Sequence, residues 1–280
     1  MKQFLLCALI GALFASSAAS LAAGVALADS DLVATPAGYV FRSLVHQVAA
    51  GTHVLGHGQE SNEMSIARLG LPLLGATHSG WIADAGWSLP DGSSIVSFTS
   101  TWQVPPEPVE KGDQIIYFFN GMENSARDTI LQPVLQWGTA PNGGGQYWAV
   151  ASWFVGAEGT YYTNPVQVKP GDTLVGVMTR TQSAQGFSYN SVFQGIPGTS
   201  LNIDNVSELV WLNETLEAYG ANTCRSYPTG VTQFKSIGIQ TSQGTPTVDW
   251  STEDRETGCG QRATVVSNSA TGGEVDIYTN

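Results

Sequence analysis

The chain has 280 residues and a formal net charge of −12 at pH 7, and from Ser79 onward 19 acidic residues stand against 8 basic ones. Nucleic acid and anionic membrane surfaces are poor partners for such a surface, whereas work in acid, where protonation relieves self-repulsion, suits it. All four histidines, His46, His53, His57 and His78, precede Ser79, so with that segment set aside no Ser-His, Cys-His or histidine-zinc machinery can be built.

In chain order, Lys2, an apolar run from Phe4 to about Phe14 and the close Ala26-Leu27-Ala28 predict a secretory signal peptide over residues 1–28. Cys7 leaves with it. Residues 29–78 lack sustained strand alternation and carry Gly51, Gly56 and Gly58, which predicts a propeptide or loosely held N-terminal extension. His53 and His57 have the i, i+4 spacing of a metal pair, but the glycines argue against the helix it needs, and no metal is expected. Residues 79–280 read as one all-β domain. Its expected strands are Ile95 to Val104, Gln114 to Phe119, Ile130 to Trp137, Tyr147 to Val155, Thr160 to Val168, Thr173 to Thr181, Phe187 to Phe193, Leu209 to Leu216, Ser236 to Thr241, Ala263 to Ser267 and Val275 to Tyr278. Turns such as Lys111-Gly112-Asp113 and Pro141-Asn142-Gly143-Gly144-Gly145 separate them. The fold class is an antiparallel β-sandwich. Cys224 and Cys259, alone in an exported domain, predict one disulfide.

Two strands carry unusual polar groups. In Trp211-Leu212-Asn213-Glu214-Thr215-Leu216-Glu217, alternation puts Glu208, Val210, Leu212 and Glu214 on one face and Leu209, Trp211 and Asn213 on the other. Glu214 then sits among apolar neighbours, and desolvation lifts its pKa toward the range useful to a general acid or base. In Ile130-Leu131-Gln132-Pro133-Val134-Leu135-Gln136, Gln132 and Gln136 share a face.

These segments resemble the glutamic peptidases called eqolisins, in which a Gln and a Glu act as a dyad. The order of motifs carries the likeness: Ser79-Gly80-Trp81; the strand Phe98-Thr99-Ser100-Thr101-Trp102-Gln103-Val104-Pro105; Phe118-Phe119-Asn120-Gly121, with Asn120 where an Asp is usual; Ile130-Leu131-Gln132; the aromatic strand from Gln146 to Phe154, with Ser152 where a Glu is usual; Pro170-Gly171-Asp172; and Trp211-Leu212-Asn213-Glu214. The resemblance implies a jelly-roll, concanavalin A-like sandwich, no cofactor, a polypeptide substrate, a monomer, and Gln132 with Glu214 as catalytic residues. Tyr147, Trp148, Asn120 and Trp211 are the implied substrate-binding residues, and Trp153 is expected in the core. The implied mechanism is direct attack of a water deprotonated by Glu214, with the Gln132 amide donating to the oxyanion.

Two other classes stay open: a glycoside hydrolase or lyase using Glu214 with Glu208 or Glu217, and a non-catalytic module that binds sugars or peptides. Glu274-Val275-Asp276 near the end partly resembles the acidic strand of laminarinase-like enzymes, with Thr279 in place of the third acid. Asn205-Val206-Ser207 and Asn213-Glu214-Thr215 are N-glycosylation sequons, and the second overlaps the expected base.

Overall fold

The computed structural model describes residues 31–56, 80–90, 92–156, 159–182 and 185–279; the expected signal peptide, His57 and His78 lie outside them. Nineteen strands are present among the described residues. In the N-terminal extension they are β1 (Leu32–Thr35), β2 (Gly38–Phe41), β3 (Val45–Val48) and β4 (His53–Leu55). The body supplies β5 (Trp81–Ser88), β6 (Ile95–Gln103), β7 (Ile115–Asn124), β8 (Ile130–Ala140), β9 (Gly143–Gly156), β10 (Gly159–Thr163), β11 (Val166–Gln167), β12 (Thr173–Thr181), β13 (Phe187–Phe193) and β14 (Leu201–Val206). It ends with β15 (Leu209–Tyr219), β16 (Val231–Thr241), β17 (Ser251–Asp254), β18 (Arg262–Ser267) and β19 (Thr271–Tyr278).

They form the β-sandwich expected from the alternating runs. One sheet of nine strands runs β17-β5-β15-β7-β8-β9-β10-β3, with β11 against β9, and one of eight runs β18-β19-β16-β6-β12-β13-β14-β4. The body pairs antiparallel throughout. β3 and β4 join parallel, Val45 opposite Thr160 and His53 opposite Asn202, so the extension contributes a strand to each sheet. Asn164-Pro165 divides the run read as a single strand from Thr160 to Val168 into β10 and β11. β5, β14 and β17 are not among the expected strands: β5 has Ala83, Asp84, Ala85 and Gly86 at its centre, β14 carries two Asn and an Asp, residues that ordinarily read as turn formers, and β17 is four polar residues.

The two sheets bury their strands differently. In β6 and β12 burial alternates, with Phe98, Ser100 and Trp102, and Leu174 and Met178, turned inward. This is the pattern of a sheet with one face in water. β7, β8 and β15 are buried almost without a break. One side of these strands and of β9 packs against the other sheet, through Phe118, Leu131, Leu135, Trp137, Trp148, Leu212 and Leu216. The opposite side carries Tyr117, Phe119, Ile130, Val134, Trp153 and Tyr219, and these pack with Val33, Ala34 and Val40 of a hairpin made by β1 and β2. The hairpin has no ladder to either sheet. Its side chains hold it, and each buried Val contributes about 2 kcal/mol.

Cys224 and Cys259 are bonded with Cα atoms 5.3 Å apart, tying the segment after β15 to the loop between β17 and β18. A closed loop of 35 residues contributes about 3 to 4 kcal/mol in the chain-entropy model. The expected outcome is that Cys224→Ser with Cys259→Ser lowers the thermal midpoint by several degrees. Intact-mass analysis finding two free thiols in the natural protein refutes the pairing.

Candidate functional site

β15 sets its polar side chains on alternate faces, and the facing strands decide what each one meets. Leu212, Glu214 and Leu216 turn into the space between the sheets. There Ser100 of β6 donates its hydroxyl to Glu214 Oε1, while Oε2 has no hydrogen-bond partner among the described residues. Burial pushes the Glu214 carboxyl well above its usual range, against the smaller opposing effect of Ser100. Glu214 is therefore a core-facing acid whose neutral form burial favours. Asn120, opposite it in the ladder, donates Nδ2–H to the Gly176 carbonyl of the facing sheet at 3.4 Å. Ser152 accepts from Ser191 at 3.0 Å. Trp148 lies against Trp137 and Phe118 in the same core.

Gln132 points the other way. On β8 it belongs with Ile130 and Val134 on the outer side of the nine-stranded sheet, and its Nε2–H donates to the carbonyl of Pro36 in the hairpin turn. The expected dyad of Gln132 and Glu214 is thus split across the two faces of one sheet. Asn120 and Trp148 are also removed from any outer-face site, being core groups. Trp211 is on the outer side, stacked on Trp81 with ring centroids 6.0 Å apart and covered by the Arg127 guanidinium at 3.5 Å. Tyr147 is half-buried near the start of β9. Trp153, expected in the core, lies on the outer side against Tyr162, beneath the hairpin. The β7–β8 ladder lapses beside Gln132, between Phe119↔Val134 and Met122↔Leu131, where Pro133 has no N–H to give.

The carboxylate that meets the same turn as Gln132 is Glu217. A register shift in β15 between Leu216 and Glu217 places it opposite Trp81, and on its other side it pairs with Tyr117. Glu217 Oε1 accepts from the Tyr219 hydroxyl and Oε2 has no hydrogen-bond partner among the described residues, while the Gly38 backbone N–H and the Trp81 indole are near enough to pull its pKa down in part. Tyr219 also donates to Thr35 O at 3.2 Å, and Tyr117 to Ala34 O at 3.4 Å. The Tyr219 phenol has one proton for two acceptors, an arrangement completed when Glu217 is protonated and supplies the second bond itself. Burial pushes Glu217 well above the usual carboxylate range, outweighing those hydrogen bonds. Gln132 and Glu217 are both wholly buried, and the turn is what lies over them.

Further along this face is a second group of acids. Asn213 donates Nδ2–H to Glu123 Oε1 at 3.3 Å and accepts from Thr215 at 2.9 Å. Asp84, opposite Thr215, is paired with Arg255, which reaches Glu253 at 2.6 Å and lies 5.5 Å over Trp81. Burial raises Glu123 to about 8, with Arg127 pulling it back in part. Because Asn213 is wholly buried and hydrogen-bonded, its sequon cannot carry a glycan on the folded protein. Among the described residues no cluster of His, Cys, Asp and Glu suits a metal, and His53 pairs with Asp204 at 2.7 Å.

Sequence reasoning singled out Glu214, gave Glu217 a place only as a partner acid in the glycosidase alternative, and passed over Glu123 and Asp84. Parity held the needed signal for Glu217, since Trp211, Asn213, Thr215 and Glu217 are all odd-numbered positions of one strand.

No protein-family model matches the chain, and no curated protein matches its sequence. Among solved structures it is similar to a scytalido-glutamic peptidase with a peptide-based transition-state analogue, at 13% identity, over 70% of this chain and 98% of that one, with a TM-score of 0.45. It is also similar to SCP-B, a member of the eqolisin family of peptidases in complex with the tripeptide Ala-Ile-His, at 12% identity, over 70% and 98% of the two chains, with a TM-score of 0.42. The likeness is to the family whose motif order the sequence resembles, and it assigns no residue a role.

Glu123, Glu214 and Glu217 each hold a proton more tightly in the folded state than their ordinary value of 4.5 allows. Above that value the unfolded chain has released protons that the native state still binds, so stability falls as pH rises. For Glu123 the window runs from about 4.5 to about 8. The expected result is a thermal midpoint highest in acid and declining across that window, with Glu123→Gln flattening the decline. A midpoint that rises from pH 5 to 8 refutes the burial of these acids.

Proposed function

We propose that this chain is a secreted acid peptidase of the glutamic type in which Gln132 acts together with Glu217, not Glu214. The observation that carries the reading is the convergence of both groups on one turn of backbone, the Gln132 amide on the Pro36 carbonyl and Glu217 on the Tyr219 hydroxyl that also reaches the Thr35 carbonyl. An amide N–H aimed at a peptide carbonyl is the donor that an oxyanion needs, and it is preorganised by the strand that bears it. A carboxylate beside the same backbone can take a proton from water as the water oxygen attacks the carbonyl carbon, then return it to the leaving amine as the C–N bond breaks. The enzyme itself supplies no covalent intermediate. Trp81, Trp153 and Tyr162, on the same side, offer apolar surface to neighbouring substrate residues. The signal-peptide pattern of residues 1–28 supports export, and the acidic surface supports work at low pH.

The glycosidase reading loses its geometric support, because Glu214 and Glu217 leave β15 on opposite faces and cannot flank one bond. Glu274 and Asp276 are engaged by Gln233, and Glu274 also by Lys235 at 3.4 Å. A peptide-binding module without hydrolysis is favoured by one observation, the replacement of expected acids by Asn120 and Ser152 in positions that prove to be core.

The test is peptide release from denatured protein in acid. Glu217→Gln is expected to abolish it and Gln132→Ala to reduce it by about a hundredfold or more, the usual cost of losing an oxyanion donor. Glu214→Gln is expected to retain most of the activity. A folded Glu214→Gln variant with no activity, beside an active Glu217→Gln, overturns the assignment.

A further inference from the structure

We infer that the Arg127 guanidinium is a carboxylate-binding group of the outer face, placed to take the C-terminal carboxylate or an acidic side chain of a bound peptide; this rests on the reading of that face as the peptide-binding one given above. Arg127 belongs to the turn between β7 and β8 and is exposed. Its guanidinium lies 3.5 Å over the Trp211 ring, and Trp211 is itself stacked on Trp81 at an interplanar angle of 18°. Gly86 makes room for that ring, since a Cβ there would come within 2.3 Å of Trp211 Cζ2. The indole engages one flat face of the guanidinium. The edge, with its N–H donors in a fixed fork, makes no hydrogen bond or ion pair among the described residues. Arg255, which lies over Trp81 at 5.5 Å, shows the contrast, because it is paired with both Asp84 and Glu253. Of the two guanidinium groups on this pair of indoles, one is held by two acids and the other by none.

The acids nearest to Arg127 are engaged elsewhere. Asp128, the next residue, accepts from Asn124 Nδ2 at 2.7 Å and from Thr129 Oγ1 at 3.2 Å, and its own N–H donates to Asn124 Oδ1 at 3.2 Å, so its carboxylate builds the turn. Glu123 accepts from Asn213. Burial lifts it to about 8 against the opposing pull of Arg127, so in acid it brings no charge to the guanidinium. The turn carries Arg127 at φ +57°, a strained setting for a residue with a side chain. A planar anion with two oxygens is what fits a guanidinium fork, and a carboxylate is the form in which a peptide offers one. Elsewhere the chain, at net −12, repels such a group. Trp81 neighbours Glu217 on one side and stacks on Trp211 on the other, so the bound carboxylate lies across the two indoles from Glu217, a few residues along an extended peptide from the bond that is cut.

The experiment uses the full chain and three synthetic peptides of one sequence: one with a free C-terminal carboxylate, one amidated at the C-terminus, and one amidated with an Asp placed inside it. Binding is followed by tryptophan fluorescence in mild acid, where the carboxylates of the peptides are still ionised, and hydrolysis by product release. Arg127→Gly removes the guanidinium and suits the positive φ, so the fold is kept; Arg127→Lys keeps the charge without the fork. The expected result is that a carboxylate-bearing peptide binds the natural chain about tenfold more tightly than the fully amidated one, the scale of a hydrogen bond between charged groups. Arg127→Gly loses that advantage and Arg127→Lys restores part of it. In hydrolysis the advantage falls on KM and not on kcat, because Arg127 does not touch the reacting atoms. The peptide that gains tells a chain end from an acidic side chain. Equal binding of all three peptides by the natural chain overturns the inference, and so does an advantage that persists in Arg127→Gly. An advantage that depends on Arg127, with no peptide hydrolysed, leaves the carboxylate site standing and removes the peptidase reading; hydrolysis of all three with no preference for a carboxylate does the reverse.

Discussion

A sheet that is apolar on both sides cannot leave either side in water, and this constraint shapes the rest of the molecule. β7, β8 and β15 carry Phe118, Leu135 and Leu212 toward one neighbour and Phe119, Val134 and Tyr219 toward another. The eight-stranded sheet satisfies the first set. A short hairpin from the beginning of the chain satisfies the second, and in doing so it lies across the polar groups that this side also carries. Covering the face and covering Gln132 are one event.

The same constraint explains the behaviour of the acids. A carboxyl placed among Leu212, Leu216 and the facing sheet has lost its water, and one hydroxyl from Ser100 does not replace it, so its pKa is raised. Glu217 sits near hydrogen-bond donors and its pKa is still raised, because they offset only part of the desolvation. Uncovering Glu217 restores solvent to it and favours its charged form. Glu214, between the sheets, has no comparable route to water.

Much of the fold was legible in the sequence. Period-two alternation gave most of the body strands, and it placed Glu214 in an apolar setting. The cysteine count gave the disulfide. What alternation cannot give is which face of one strand shares a side of the sheet with which face of another, since that depends on register and on bulges such as those at Leu209/Trp211 and Leu216/Glu217. Motif resemblance fixed on the residue three after Trp211, and the neighbouring strand fixed the outcome. The N-terminal strands were hidden for a different reason: four residues each, or fewer, they become strands by finding partners and have little pattern of their own.

The parallel strands β3 and β4 have a consequence for maturation. Between Val48 and His53 the chain passes from the rim of one sheet to the rim of the other, where it caps β10 and β14 in turn. Excision of all of residues 31–56 leaves two bare strand edges side by side, each with unpaired N–H and C=O groups able to recruit another molecule. A cut after Phe41 sheds the hairpin and leaves both rims closed. The extension is therefore two parts in series, a hairpin held by side chains and a hem held by backbone ladders, and the point where the chain is severed decides whether strand edges are left open.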